Sequence, residues 1–315
     1  MFADIVYKSG HEYIQSFEDI QAAILVIIPC LIGPIMAIIV IRGCFVIPAM
    51  QSSFGYLTRY EMSLRILACL NSGGFYLFGV LLDIKLILNN SQIFGLISAT
   101  LLPMIYALYF LISINRFLAI VTPKSYSEIF SPKNRRIYIS VFCISPIIYT
   151  PTFAWYYDCG YKFYHYGWVF SFIISDTCGT KFEVLLRGFQ SFFACLMLIF
   201  DFGTLIALLC FGKCVLNNKS SEFRKSEINF GQQVVIQGFV SILYGVFYSY
   251  AYQWIPGNLA ENWKIFWTSS FLANILHFFD TGVIFVFNAE FTRWLRGRDR
   301  NKILPVGMVI SVVTT

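Results

Sequence analysis

The residues of this 315-residue chain that could do chemistry are few, and they sit in apolar runs where a charge is costly. Arg116 belongs to Ser113-Ile114-Asn115-Arg116-Phe117 at the end of one such run. Asp201 lies inside another, and Asn274, His277, Asp280 and Thr281 share a third. A guanidinium so placed either snorkels to water and ends a helix or faces a partner. Asn274, His277 and Thr281 are three and four apart, which puts them on one helical face. Asp280 is placed to pair with His277 or with Asn71, and Glu61 and Arg65 read as an i,i+4 ion pair. Such groups serve either as a functional site or as struts that pack helices together, worth about 0.6 kcal/mol per contact. The strut reading is the simpler for Asp201 and Asp280, while His277 fits either. Enzymatic chemistry lacks its parts. The sequence has no His-Glu-x-x-His, Gly-rich phosphate loop or nucleophile elbow, and His11, His165 and His277 are too dispersed for a metal centre. An intramembrane protease using Asp201 and Asp280 would need flanking motifs that neither carries. No catalytic residue, cofactor or metal is expected.

The elements that must position these groups are membrane spans. Hydrophobic residues make up 57% of the chain and charged residues 13%, against about 25% charged in a soluble domain. Mean hydropathy is +0.67. About 20 apolar residues cross a bilayer core, and such runs occur at 20–41, 62–82, 93–121, 137–157, 187–211, 231–254 and 266–288. The predicted fold is therefore all-α, a seven-transmembrane helix bundle (20–288) between an extracellular tail (1–19) and a cytoplasmic tail (289–315). Orientation follows from Lys and Arg. Of 23 basic residues, only Lys8, Lys85, Lys162, Lys181, Arg187 and Lys264 fall on the side of the acidic N-terminal segment. The rest, Arg65 included, group with the opposite side, which sets N-out and C-in. The basic residues form no single soluble face, so nucleic acid is not an expected partner. No cleavable leader is visible, and the first span reads as a signal-anchor. No repeated halves suggest a transporter.

Cysteines agree with that topology. Of nine, only Cys159 and Cys178 fall in an extracellular segment, between spans four and five. An oxidising exterior favours a disulfide between them, and two independent buried thiols are the alternative. Asn89, in Asn89-Asn90-Ser91, is a glycosylation sequon outside. Asn218 heads a second sequon inside, where it stays unmodified. After span seven, Phe291, Trp294 and Leu295 fall on one face among Arg293, Arg296, Arg298 and Arg300, predicting a short amphipathic helix on the inner leaflet, its partner anionic membrane lipid.

Asn115-Arg116-Phe117 resembles the Asp-Arg-Tyr that ends the third helix of rhodopsin-like G-protein-coupled receptors, where the Arg faces the G-protein cavity. More narrowly, four features together resemble the nematode serpentine chemoreceptors, most of all their class X. These are that triplet, the cysteine-bearing loop with Trp168-Val169-Phe170, Arg224-Lys225-Ser226-Glu227-Ile228-Asn229-Phe230 before span six, and Phe287-Asn288-Ala289-Glu290-Phe291 closing span seven. The resemblance covers about residues 20–296. It implies a rhodopsin-like bundle in the plasma membrane of a sensory cilium, detecting a small-molecule ligand outside and activating a heterotrimeric G protein inside. Asn115, Arg116, Phe117, Glu227 and Asp280 take the coupling and activation roles.

Departures from the wider pattern are specific. Asn115 replaces the acidic neighbour of the Arg, leaving Glu227 as the expected restraint on Arg116. Span three begins without a Cys, so a bridge within the loop, Cys159 to Cys178, replaces the usual one. Span six lacks an internal Pro, leaving Gly238 or Gly245 as hinge. Asp280 stands where an Asn-Pro-x-x-Tyr motif would begin, without its Pro and Tyr. A ligand pocket opening outward is expected among Thr100, Tyr106, Tyr149, Phe153, Ser191, Phe192, Tyr244, Tyr248, Phe271, Asn274 and His277, though aromatics also glue helices together. The rival reading is a ligand-gated channel or small transporter.

Overall fold

A computed structural model of the chain describes residues 15–47, 50–156, 159–172, 178–215, 236, 254–255 and 259–297. Helix α1 (Phe17–Val46) starts at a capping box in which Ser16 and Asp19 satisfy each other's backbone N–H. Helix α2 (Ser53–Phe75) continues into a π-helical turn over Tyr76–Leu81. A short α3 (Lys85–Asn89) leads to α4 (Ser91–Val121), then α5 (Pro123–Ile129) and α6 (Pro132–Tyr156). Strands β1 (Tyr161–Tyr164) and β2 (Val169–Phe172) form an antiparallel hairpin, Tyr164 opposite Val169. Helix α7 (Cys178–Val215) follows. Beyond it come α8 (Glu261–Phe266), a second π-helical turn (Trp267–Phe271), α9 (Leu272–Phe287) and α10 (Ala289–Leu295).

Five of these stretches are long and apolar enough to cross a membrane: Phe17–Val46, Ser53–Leu81, Ser91–Val121, Pro132–Tyr156 and Glu261–Val286. A shorter apolar stretch, Ser191–Ala207, lies within α7. They enclose or overlap the runs read as spans one to five and seven. Apart from residues 236 and 254, the run at 231–254 lies outside the described residues, as do Glu227, Gly238, Gly245, Tyr244 and Tyr248.

Helix α1 packs on α2 and α9, α2 on α4, and α4 on α6 and α7. The outward faces are apolar: Leu31, Ile35 and Ile38 of α1 are each more than half exposed. In water that stripe would be a liability; against hydrocarbon it is the solvated face. Between α4, α6 and α7 the filler is aromatic, with Phe110 contacting Phe142, Phe193 and Phe200.

The segment after span seven forms the short helix expected there, and the structure shows what covers its apolar side. This helix, α10, is capped by Asn288, whose side chain accepts from Phe291 N at 3.0 Å. Phe291 on its apolar side is fully buried against Phe285 and Trp294 and so packs on protein. A Cβ on Gly43 of α1 would meet the Phe291 ring at 2.5 Å, so that glycine makes the seat. Spacing gives a helix an apolar side without saying what covers it.

Candidate functional site

The buried polar residues form a chain through the bundle interior. Arg65, three turns into α2, is buried and not at the mouth of its span. Its Nε donates to Glu61 Oε1 at 2.8 Å, one turn earlier. Its Nη2 donates to Asp280 Oδ2 of α9 at 2.8 Å, and its Nη1 lies 3.1 Å from His277 Nδ1. The guanidinium also sits over the Tyr109 ring of α4, 4.9 Å from its centroid. Since the guanidinium can only donate, His277 accepts at Nδ1 and is neutral in this contact. The Glu61–Arg65 pair matches its i,i+4 spacing. Grouping Arg65 with surface cations, however, misplaced it, because helical rotation and depth are not written in local sequence.

Asp280 was expected opposite His277 or Asn71; Arg65 takes it instead. Asn71 turns the other way, its Nδ2 donating to Phe94 O at 3.0 Å and Ser98 Oγ at 2.8 Å of α4. The face carrying Asn274, His277 and Thr281 looks toward α1 and α2. Asn274 accepts from Cys30 Sγ at 3.2 Å and donates to Ser270 O at 2.7 Å. Thr281 Oγ1 lies 3.7 Å from Met62 Sδ.

The triplet near the C-terminal end of α4 divides its labour. Asn115 is buried and donates to Tyr126 OH of α5 at 3.1 Å, fixing the loop that follows. Phe117 points to α7, its ring 5.4 Å from that of Phe200 and packed over Gly203. Arg116 is buried beneath Phe54, 4.9 Å from the ring centroid. Its charge is felt by Asp201 of α7, which Ser113 also faces, and by Glu61 of α2. The signs therefore alternate: Asp280, Arg65, Glu61, Arg116, Asp201. One line of charge connects α9, α2, α4 and α7. Sequence reasoning singled out each member and missed the line. The signal was available, since a carboxylate inside a span needs a cation, and among the described residues Arg65 and Arg116 are the buried ones.

The opposite end of the bundle, where the hairpin sits, is built differently. The turn of the hairpin inserts Trp168 between the ends of α1, α2 and α8. Gly167 and Trp168 both take positive φ, +83° and +45°, which folds the indole inward. Trp168 Nε1 donates to Asp19 Oδ1 at 2.6 Å, while Asp19 Oδ2 still caps α1. Its carbonyl accepts from Tyr76 OH and, at 2.7 Å, from Ser270 Oγ. The ring packs on Trp263 and Phe266, with centroids 4.9 and 5.7 Å away. Both π-helical turns are thus used: they bring Tyr76 and Ser270 to one acceptor. Carbonyls left at the end of the first turn, on Val80 and Leu81, accept from Gln15 Nε2 at 2.7 and 2.9 Å. The Ser16-x-x-Asp19 spacing was a visible capping signal, but its second duty was not. His165, beside the Phe163 ring, is pushed down to about 4 chiefly by burial.

Cys159 is buried and disulfide-bonded. Cys178 opens α7, its side chain outside the described set. Asn89 is exposed at the end of α3, at the same end as the hairpin and Gln15.

The described members of the expected pocket, a set without Tyr244 and Tyr248, lie on several different surfaces. Thr100 donates to Leu96 O within α4, and Tyr106 is half-buried on the same helix. Tyr149 packs on Phe153 and on Phe189 of α7, as helix glue. Ser191 and Phe192 are exposed on α7, Phe192 at 59%, and so face away from the interior. Phe271 joins the outer aromatic group through Trp267, 4.6 Å away. Choosing among apolar residues by type cannot fix which side of a helix is inside.

Comparison with known proteins agrees in kind. The sequence profile described as serpentine type 7TM GPCR chemoreceptor Srx matches residues 27–288. Serpentine receptor class X-43 of Caenorhabditis elegans is 38% identical over 283 residues, 90% of this chain and 88% of that protein. The crystal structure of squid rhodopsin superposes with a TM-score of 0.65 at 15% identity, covering 91% of this chain and 87% of that one. At that identity the likeness is one of fold, and the fold is a bundle of seven membrane helices.

Proposed function

Because the chain belongs to the Srx family of serpentine seven-transmembrane G-protein-coupled chemoreceptors, we propose that it detects a small molecule outside the cell and activates a heterotrimeric G protein inside. The observation that carries this reading is Arg116, a buried cation near the C-terminal end of α4 held against the Phe54 ring, within the electrostatic reach of Asp201. A charge stored at that point suits a second state that exposes it to a partner. Asp201 supplies the restraint that Asn115 cannot, and Glu227 is a further candidate for that role. The positive-inside bias places the α4–α5 junction in the cytoplasm and the hairpin outside. Asn89 is then the glycosylation site, Cys159–Cys178 the loop disulfide, the plasma membrane of a sensory cilium the location, and anionic lipid the contact of α10. The ligand region lies among the inward residues of α4, α6 and α9, with Tyr244 and Tyr248 from span six.

The test is expression with a panel of Gα subunits against a broad odorant library. Arg116→Ala at normal surface level is expected to abolish G-protein activation, and Asp201→Asn to raise ligand-free signalling severalfold. Unchanged basal signalling in both Asp201→Asn and Glu227→Ala would remove the proposed restraint. Currents in cells without any Gα subunit would instead favour a channel.

A further inference from the structure

At the inner ends of α1, α2 and α6, away from the charge line, a second set of cations gathers on aromatic rings. Arg59 sits between Phe45 and Tyr56, 4.3 and 5.0 Å from their centroids. Arg135 of α6 lies over the same Tyr56 ring at 4.4 Å, so both guanidiniums converge on one side chain. Tyr56 and Tyr60 share a hydroxyl contact at 3.3 Å, and the charges of Arg59 and Arg136 both reach Tyr60. Two like charges on one ring repel, and a counter-charge would normally accompany them. Yet ion pairs among the described residues involve only Arg65 and Lys85. The Nε atoms of Arg59 and Arg135 are buried without a hydrogen-bond partner among those residues. Arg135 spends one Nη1–H on Ser53 Oγ at 3.4 Å, a weak contact.

We infer that Arg59, Arg135 and Arg136 bind the phosphomonoester headgroup of an inositol phospholipid of the inner leaflet. Three features select that occupant. The guanidiniums are planar donors pre-aligned by stacking, which suits phosphate oxygens. A phosphomonoester carries about −1.5 to −2 charges, so it matches three cations where the single charge of a diester does not. The same three helices carry exposed apolar side chains that acyl chains can cover, Phe45 on α1, Leu67 on α2, and Ile137 and Val141 on α6. A soluble anion would leave these side chains unused. The leaflet assignment rests on the orientation proposed above, but the binding chemistry does not.

The full-length receptor in nanodiscs of zwitterionic lipid, doped with either a bisphosphorylated phosphatidylinositol or phosphatidylserine, tests the site by native mass spectrometry of retained lipid. A nanodisc offers the same lipid to both faces, so this measurement is independent of orientation, which glycosylation at Asn89 reports separately. Wild type is expected to retain the inositol lipid in preference. Arg59→Ala and Arg135→Ala should each lower retention roughly fivefold, while Lys124→Ala, exposed on α5, leaves it unchanged. The pair Arg59→Lys with Arg135→Lys keeps charge and fold but not the stacked fork, and should lose the preference for the phosphomonoester. Equal retention of phosphatidylserine by wild type overturns the inference. So does an undiminished preference in the lysine pair, which decides the matter alone if the alanine variants fail to fold.

Discussion

Spans one, two and seven meet twice in this receptor, and the two meetings use opposite physics. At the end that carries the hairpin they close around Trp168 through ring contacts and hydrogen bonds, with the Asp19 carboxylate taking the indole N–H. Deeper in the bundle, α2 and α9 meet through Arg65, Glu61, His277 and Asp280, all in hydrogen-bond contact. Ring packing falls off within an ångström and has one good arrangement. Charges interact over longer distances and can exchange partners at modest cost, provided none is left alone. The outer end is therefore suited to hold a shape, and the interior to change one.

That comparison breaks first at Arg65. Arg65→Met leaves two carboxylates buried without their cation and is expected to cost about 3–5 kcal/mol, read as lost surface expression and a lower unfolding temperature in detergent. Adding Glu61→Gln and Asp280→Asn to it should recover much of that loss, because no uncompensated charge remains. If the triple variant is worse than the single, the cluster is not held by charge. At the outer end, Trp168→Ala should cost about 3 kcal/mol, and Trp168→Phe less, since the ring contacts survive without the bond to Asp19. Equal losses would mean that the hydrogen bond, not packing, dominates there.

The smallest effect is one of pH. His165 titrates near 4 in the fold against 6.5 unfolded, so the unfolded chain binds its proton more readily. Its contribution is complete above pH 6.5 and is lost as pH falls through that window toward 4. Acidification should loosen the hairpin, seen as faster amide exchange over residues 161–172, and His165→Gln should remove the dependence. The interior cluster should be indifferent to this test.

The sequence carried the outline of the fold further than the site. Apolar runs and the Lys/Arg asymmetry marked the spans, because bilayer thickness and insertion act on local composition. Asn115-Arg116-Phe117 falls in the last turns of α4, near the end of its apolar run. What composition does not encode is azimuth. Asp280 turns to Arg65, Asn71 turns to α4, and Phe192 turns outward, each settled by which helix lies alongside. Phe291 shows the limit in another form: its spacing was right for a helix, and its burial depended on a glycine far away in α1. The two π-helical turns had no local signature at all, since Tyr76 and Ser270 are pulled together by a carbonyl from a distant loop.

The contacts of Trp168 also impose an order in time. Its indole reaches Asp19, 149 residues earlier, and its carbonyl is held by Ser270, 102 residues later. A ribosome releasing this chain has threaded four spans before the first of these bonds can form, and nearly the whole protein before the second. Until then the outer mouth stands open, with the Asp19 carboxylate and the Tyr76 hydroxyl lacking their final partner. Closure of the hairpin is thus a late event in biogenesis, and a nascent receptor whose mouth stays unsealed displays polar groups that cellular quality control can read.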